Sequence, residues 1–256
     1  VDTETPLKKK ELRRQRIYLL GVPVDVLPED ELEEAVRNLL ADGASHQIIF
    51  ITLMDLLRAR GKSEFAKTVK ESSLVIPLSK GILRGARFLR RPVPVRYMPF
   101  SFVIKLMGVL EKHHKSLYLV GSQPQRLSVS SANIRDSFPG LRIVGRYAGF
   151  FPPEREKDIV LAIRKASPSL LLVGPGVKGK NRWIRRHKDE FQAGLALWCG
   201  ECFDIFCGKK KRITYKSWER GTYRFGEFLR HPWRVLRLFS YLYYLLLLLF
   251  ARIRGR

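Results

Sequence analysis

Seven short runs of Ile, Val and Leu recur along the first two hundred residues, at 17–20, 47–51, 73–76, 116–120, 141–144, 170–173 and 195–198. They are continuous rather than alternating, as expected of strands covered on both faces. Between most of them lie amphipathic stretches at helical spacing, at 31–40, 65–71, 100–112, 126–137, 154–165 and 181–192. Two of these are well punctuated. Pro28-Glu29-Asp30 and Pro152-Pro153-Glu154 place a fixed φ and negative charge at the positive end of a helix. Strand alternating with helix predicts an α/β domain, with a largely parallel, Rossmann-like sheet and helices on both faces.

The last third departs from this pattern. The net charge is +24 over 256 residues, and about half of the excess falls there. From Lys209-Lys210-Lys211-Arg212 onward, aromatic residues alternate with cations through Arg230, Trp233, Arg234 and Arg237. Residues 238–251 are then almost wholly apolar, with Leu245 at their centre, before Arg252, Arg254 and Arg256. A helix of that length reaches only ~21 Å, short of a hydrocarbon core of ~30 Å. It suits lying on or dipping into a bilayer, with arginines on anionic headgroups and rings at the interface. The sequence thus divides into a charged extension (1–16), an α/β domain (17–208) and a basic, aromatic and apolar membrane-associating appendage (209–256). A helical hairpin packed on the core is the competing reading for Trp218 and Tyr223. A cation of this size also suits nucleic acid, but there is neither an RNA-recognition signature nor zinc-finger spacing, so no nucleic-acid partner is expected.

The N-terminal stretch carries no apolar run, so no secretory signal is expected. Three cysteines imply no disulfide framework. Cys199-Gly200-Glu201-Cys202 has half a zinc site's spacing but no suitable histidine pair, so buried thiols and no metal are expected. His113-His114 reads as a solvated pair at a helix end.

In parallel α/β folds ligands bind beyond the carboxyl ends of strands, where glycine lets backbone amides approach phosphate. Three runs end this way: Leu119-Val120-Gly121-Ser122, Ile143-Val144-Gly145 and Leu172-Val173-Gly174-Pro175-Gly176. The last, followed by Lys178 and Lys180, is the best candidate for holding a diphosphate. Such glycines equally serve tight turns, and neither a dinucleotide fingerprint nor a Walker loop is matched.

Taken in order, these pieces resemble the WecG/TagA/CpsF glycosyltransferases, glycosyltransferase family 26. The likeness runs from about Ile17 to Arg237. It rests on Leu20-Gly21-Val22-Pro23-Val24-Asp25, Ile51-Thr52-Leu53, Pro77 and Gly81, Arg96, and Leu119-Val120-Gly121. It continues through Phe138-Pro139-Gly140-Leu141-Arg142-Ile143-Val144-Gly145, Gly149-Phe150-Phe151 and Val173-Gly174-Pro175-Gly176 before Trp183, to Gly200, Phe203-Asp204, Gly208, Pro232 and Arg234. The resemblance implies transfer of an N-acetylhexosamine-type sugar from a UDP-sugar to a polyprenyl-diphosphate-linked acceptor, without a cofactor. It also implies work at the cytoplasmic face of a bacterial membrane, in envelope polysaccharide synthesis.

By that likeness Gly121, Phe150, Gly174, Gly176 and Asp204 contact the nucleotide, and Thr52 and Arg96 are retained catalytic candidates. Arg230, Trp233, Arg234, Arg237, Leu245 and Arg252 meet the membrane, and an oligomer or a partner transferase is a further expectation. Four polar motifs differ. The Pro-Asp-Gly element that supplies the base reads Pro77-Leu78-Ser79, and Thr-x-Asn reads Thr52-Leu53-Met54. Thr-Gly-x-Asp reads Met98-Pro99-Phe100-Ser101, and Pro-Lys-Gln-Glu reads Lys178-Gly179-Lys180-Asn181. A catalytically inactive homologue that binds nucleotide or glycolipid, or acts as a scaffold, is therefore the alternative.

Overall fold

Most of the apolar runs become strands of one sheet. A computed structural model describes residues 15–192, 194–221 and 236–254. Strands β3 (Ser45–Ile51), β4 (Leu74–Pro77), β5 (Ser116–Val120), β6 (Arg142–Tyr147), β7 (Leu170–Val173) and β8 (Gly194–Trp198) form a six-stranded sheet in the order β4-β3-β8-β7-β5-β6. Every pairing in it is parallel. The fold is Rossmann-like α/β.

The first run behaves differently. Strand β1 (Gln15–Leu19) pairs antiparallel with β2 (Val22–Val26) in a separate two-stranded sheet. Leu20 and Gly21 both have positive φ, 51° and 79°, the backbone of a tight hairpin turn. Pro23 and Asp25 hide β2 in the sequence, since both residue types are depleted in strands. Asp25 is nonetheless buried, because its carboxylate accepts two 2.8 Å bonds from the Arg16 guanidinium and one of 2.6 Å from Val75 N–H. Arg16 also donates to the carbonyls of Ser72 and Ser73, at 3.0 and 2.9 Å. This buried pair ties the hairpin to β4.

Alternating strand residues point to opposite layers. Ile48, Leu117, Leu119, Leu170, Leu172, Leu195 and Leu197 pack with helices α1 (Leu32–Ala41), α5 (Pro99–Lys112), α6 (Pro124–Ser137) and α9 (Cys202–Phe206). Ile49, Ile51 and Val75 pack with the hairpin, α2 (Leu53–Ala59), α3 (Glu64–Glu71) and α4 (Lys80–Phe88). On the same side, Tyr118, Val120, Leu171 and Val173 pack with α7 (Glu156–Ala166) and α8 (Asn181–His187). Helices α2 and α4 lie outside the stretches that helical spacing predicts. The first is short and the second carries Gly81 and Gly85, a residue type of low helix propensity.

Beyond α10 (Tyr215–Arg220), the tail forms α11 (Leu236–Ile253), 18 residues long. It does not stand apart from the core, as a purely membrane-lying segment would. Tyr244 and Leu248 are buried against the second cluster and Tyr241 packs beside them. The Tyr244 hydroxyl donates to the Gly81 carbonyl at 3.0 Å. A Cβ on Gly85 would lie 1.8 Å from that hydroxyl, so the two glycines make the seat. Arg252 donates to the Phe88 carbonyl at 2.9 Å and lies over its ring. The opposite side, with Phe239, Leu242, Leu246, Leu249, Phe250 and Ile253, is exposed. Among the described residues, no helix is long and apolar enough to cross a membrane. Arg230, Trp233 and Arg234 lie outside the described residues, and Arg237 lies within α11.

Candidate functional site

The carboxyl ends of the parallel strands form one continuous edge. At β5 and β7 it is built from glycine. A Cβ on Gly121, whose φ is 126°, would meet the Gly174 backbone at 2.8 Å, and one on Gly174 would meet the Phe203 ring at 2.3 Å. Ser122 N–H donates to the Pro175 carbonyl at 2.6 Å, Gly149 N–H to Ser122 at 2.8 Å, and Phe150 N–H to Gly176 at 2.9 Å. The loops after β5, β6 and β7 are thereby zipped together, which brings Gly121, Gly174, Gly176 and Phe150 side by side. Close packing alone, against backbone at Gly121 and against rings at Gly174 and Gly176, requires these glycines, and Phe150 projects 67% exposed beside them. Asp204, on α9, is held by Arg126 at 3.2 Å.

The next strand along the edge is β8, where Cys199 N–H bonds the Val173 carbonyl at 2.9 Å. From here to β4 opens a cavity of about 940 Å³. Thr52 and Asp55 line it from the end of β3 and the start of α2, and Leu78 from the end of β4. Met98, Phe100 and Ser101 come from the start of α5, Lys180 and Asn181 from the start of α8, and Trp198 from the end of β8. Arg212 and Trp218 close it from the chain beyond α9. All four motifs that depart from the resemblance thus contribute to one wall-to-wall site, through Thr52, Leu78, Met98 with Ser101, and Lys180 with Asn181. Thr52, one catalytic candidate, is in the lining. Arg96 is turned to the closing helix instead. It donates to the Trp218 carbonyl and the Glu219 carboxylate, both at 3.1 Å, and its guanidinium lies 4.5 Å from the Trp218 ring centre.

The cavity is electropositive. Lys105, Arg182 and Lys210 in its lining are paired with Glu29, Glu64 and Glu201. Arg58, Lys180 and Arg212 have no carboxylate partner among the described residues. Each lies over a ring, that of Phe65 at 5.0 Å, Trp198 at 5.1 Å and Phe100 at 4.9 Å. Ring faces hold a cation in place without neutralising it, leaving its charge for an anion. Lys180 adopts φ 54°, ψ −121°, a conformation sparsely populated for any residue but glycine. Two further polar atoms of the lining residues, Asn181 Oδ1 and Trp198 Nε1, are buried without a hydrogen-bond partner among the described residues. No group of three His, Cys, Asp or Glu residues among those described could hold a metal.

Cys199 and Cys202, expected as thiols, are joined as a disulfide in the cavity wall. The two-residue spacer spans the end of β8 and the start of α9, which brings the Cα atoms to 5.7 Å, within disulfide reach. This bond corrects the expectation of two buried thiols. His113 and His114 lie at the end of α5, where His113 faces Glu33 at 3.0 Å.

The model of the glycosyl transferase WecG/TagA/CpsF family matches residues 17–256. The chain belongs to this family. Among its relatives are the N-acetylglucosaminyldiphosphoundecaprenol N-acetyl-beta-D-mannosaminyltransferases of Staphylococcus aureus strains NCTC 8325 and COL. Each is 18% identical over 202 residues, which is 78% of this chain and 79% of the relative. The protein of strain MRSA252 matches to the same extent.

The reading from sequence did not bring Arg58, Arg212 or Trp198 into the site, because cations and rings distant in sequence carry no spacing signal. Asp55 was legible: Thr52-x-x-Asp55 has the pattern of a capping box, and the structure forms it.

Proposed function

We propose that this protein is a membrane-associated transferase of bacterial envelope polysaccharide synthesis. It moves an N-acetylhexosamine-type sugar from a UDP-sugar to a glycan on polyprenyl diphosphate. The observation that carries this reading is the set of three ring-backed cations without a carboxylate partner among the described residues, Arg58, Lys180 and Arg212, in one cavity next along the strand edge from the glycine-built loops. Positive charge held in a partly apolar site stabilises a departing diphosphate. The names of the staphylococcal relatives, which specify an undecaprenol-diphosphate acceptor and a mannosaminyl group, support the same chemistry.

The exposed apolar side of α11 and the arginines around it suit the surface of the membrane that would hold such an acceptor, at its cytoplasmic face. The UDP moiety is assigned to the crevice of Gly121, Phe150, Gly174 and Gly176. The test is transfer from UDP-N-acetylmannosamine or UDP-N-acetylglucosamine to a short-chain polyprenyl-diphosphate N-acetylglucosamine, together with calorimetry against UDP. One observation favours a second reading, a binding or scaffold protein: Leu78 stands in the cavity where the family resemblance places its base. UDP binding without transfer would select it.

A further inference from the structure

Leucine cannot accept a proton, yet the cavity wall beside Leu78 is not without a carboxylate. Strands β3 and β4 run parallel with Ile51 opposite Pro77, and Leu78 N–H donates to the Ile51 carbonyl at 2.8 Å. Residues 52 and 78 therefore leave neighbouring strands at the same level, about one strand spacing of ~4.8 Å apart. Asp55 folds back from the first turn of α2 onto residue 52. Its Oδ2 accepts from Thr52 N–H at 2.9 Å and from the Thr52 hydroxyl at 2.6 Å, and Asp55 N–H donates in return to Thr52 Oγ1 at 3.3 Å. The carboxylate is pinned close to where a side chain at 78 begins.

Both hydrogen bonds fall on one oxygen. Asp55 Oδ1 has neither a hydrogen bond nor a cationic partner among the described residues, and Asp55 lines the cavity. Among the described residues the only other carboxylate in the lining, Glu201, is tied to Lys210 at 2.7 Å. We infer that Asp55 is the general base of this chain, standing in for the acid missing at position 78. This rests on the transfer reading given above. In the step, Asp55 Oδ1 takes the proton of the acceptor hydroxyl while that oxygen bonds the anomeric carbon. The bond from that carbon to the diphosphate breaks, and its electron pair leaves on UDP, opposite Arg58, Lys180 and Arg212. Asp55 then returns the proton to solvent. Thr52 is a positioning residue: its two donors fix the carboxylate's rotamer and leave the free oxygen toward the cavity.

The competing account is that Asp55 only caps α2. Asparagine separates the two, because its carbonyl oxygen still accepts from Thr52 N–H but cannot act as a base. With the full chain, both donors named above and the short-chain acceptor, Asp55→Asn is expected to lower kcat by about 10²–10⁴. The donor KM and the melting temperature stay as in the wild type, the pattern of a group acting in the transition state. Asp55→Ala is expected to lose activity likewise and to recover part of it in added formate, which supplies a carboxylate that a cap would not need. Wild-type kcat in Asp55→Asn, or no recovery of Asp55→Ala by formate, overturns the role and leaves the transfer reading standing. A wild-type protein that turns over neither donor removes the transfer reading, and this assignment with it.

Discussion

Gly121 and Asp25 show how differently a single residue is constrained in the two halves of this fold. At Gly121 a methyl group would have to displace the Gly174 backbone from 2.8 Å, at a φ of 126° that other residues rarely adopt. Gly121→Ala is expected to destabilise the domain by about 1–3 kcal/mol and to abolish UDP binding, read by urea denaturation and calorimetry. Asp25 serves no site. It neutralises Arg16 and satisfies Val75 N–H inside the hairpin joint, and it in turn raises the Arg16 pKa through their hydrogen bonds. Asp25→Ala leaves a half-buried guanidinium without its partner, and a loss of about 3–5 kcal/mol is expected by the same denaturation assay. The glycine was legible from its place after an apolar run. The aspartate was not, since nothing local marks a carboxylate whose partners lie 9 and 50 residues away. The same holds for the ring-backed cations: Arg212 and Phe100 meet only through the tertiary fold.

Two helices from the C-terminal part of the chain are held by contacts that can be tested one at a time. Helix α10 docks through Glu219, which bridges Lys80 and Arg96 at 3.1 Å each. The Lys80 hydrogen bond foremost, with both cations' charge, holds the Glu219 carboxyl below its ordinary value. A depressed acid contributes to docking above its unfolded value, and that contribution is lost as pH falls through the folded one. The exchange protection of amides in 215–220, taken relative to their intrinsic rate at each pH, should therefore fall under acid conditions, below the usual glutamate range, and Glu219→Gln should remove this pH dependence. Helix α11 depends instead on space. Gly85→Ala should favour α4 by up to about 1 kcal/mol on propensity alone. It nevertheless drives a methyl into Tyr244, so faster exchange and protease cleavage within 239–253 are expected. An unchanged pattern would show that α11 is seated otherwise. Periodicity could reveal α11 as an apolar helix, but not that one of its sides is already taken up by the two glycines of α4.

At the level of the molecule, one apolar helix faces two ways, and the proposed membrane attachment can therefore be tested apart from folding. Replacing Leu242, Leu246 and Leu249 by serine should leave the melting temperature near that of the wild type while reducing sedimentation with anionic liposomes. Each fully buried leucine contributes roughly 1.5–3 kcal/mol of transfer energy to such binding. Removing α11 altogether should lower stability as well, since Tyr244 and Leu248 would leave the core. Sedimentation of the triple variant as strong as wild type would place attachment elsewhere.

The hairpin carries a consequence of another kind. The six-stranded sheet ends at β4 on one side and β6 on the other. Open margins of this sort invite strand addition from a neighbouring chain. At β4 the Val75 amide is already taken by Asp25, and Arg16 occupies the carbonyls just before that strand. At β6 the exposed Arg142 and Arg146 set like charges against any copy approaching in register. A chain that loses residues up to Val26 would therefore be expected first to self-associate into aggregates through β4, before its chemistry was affected.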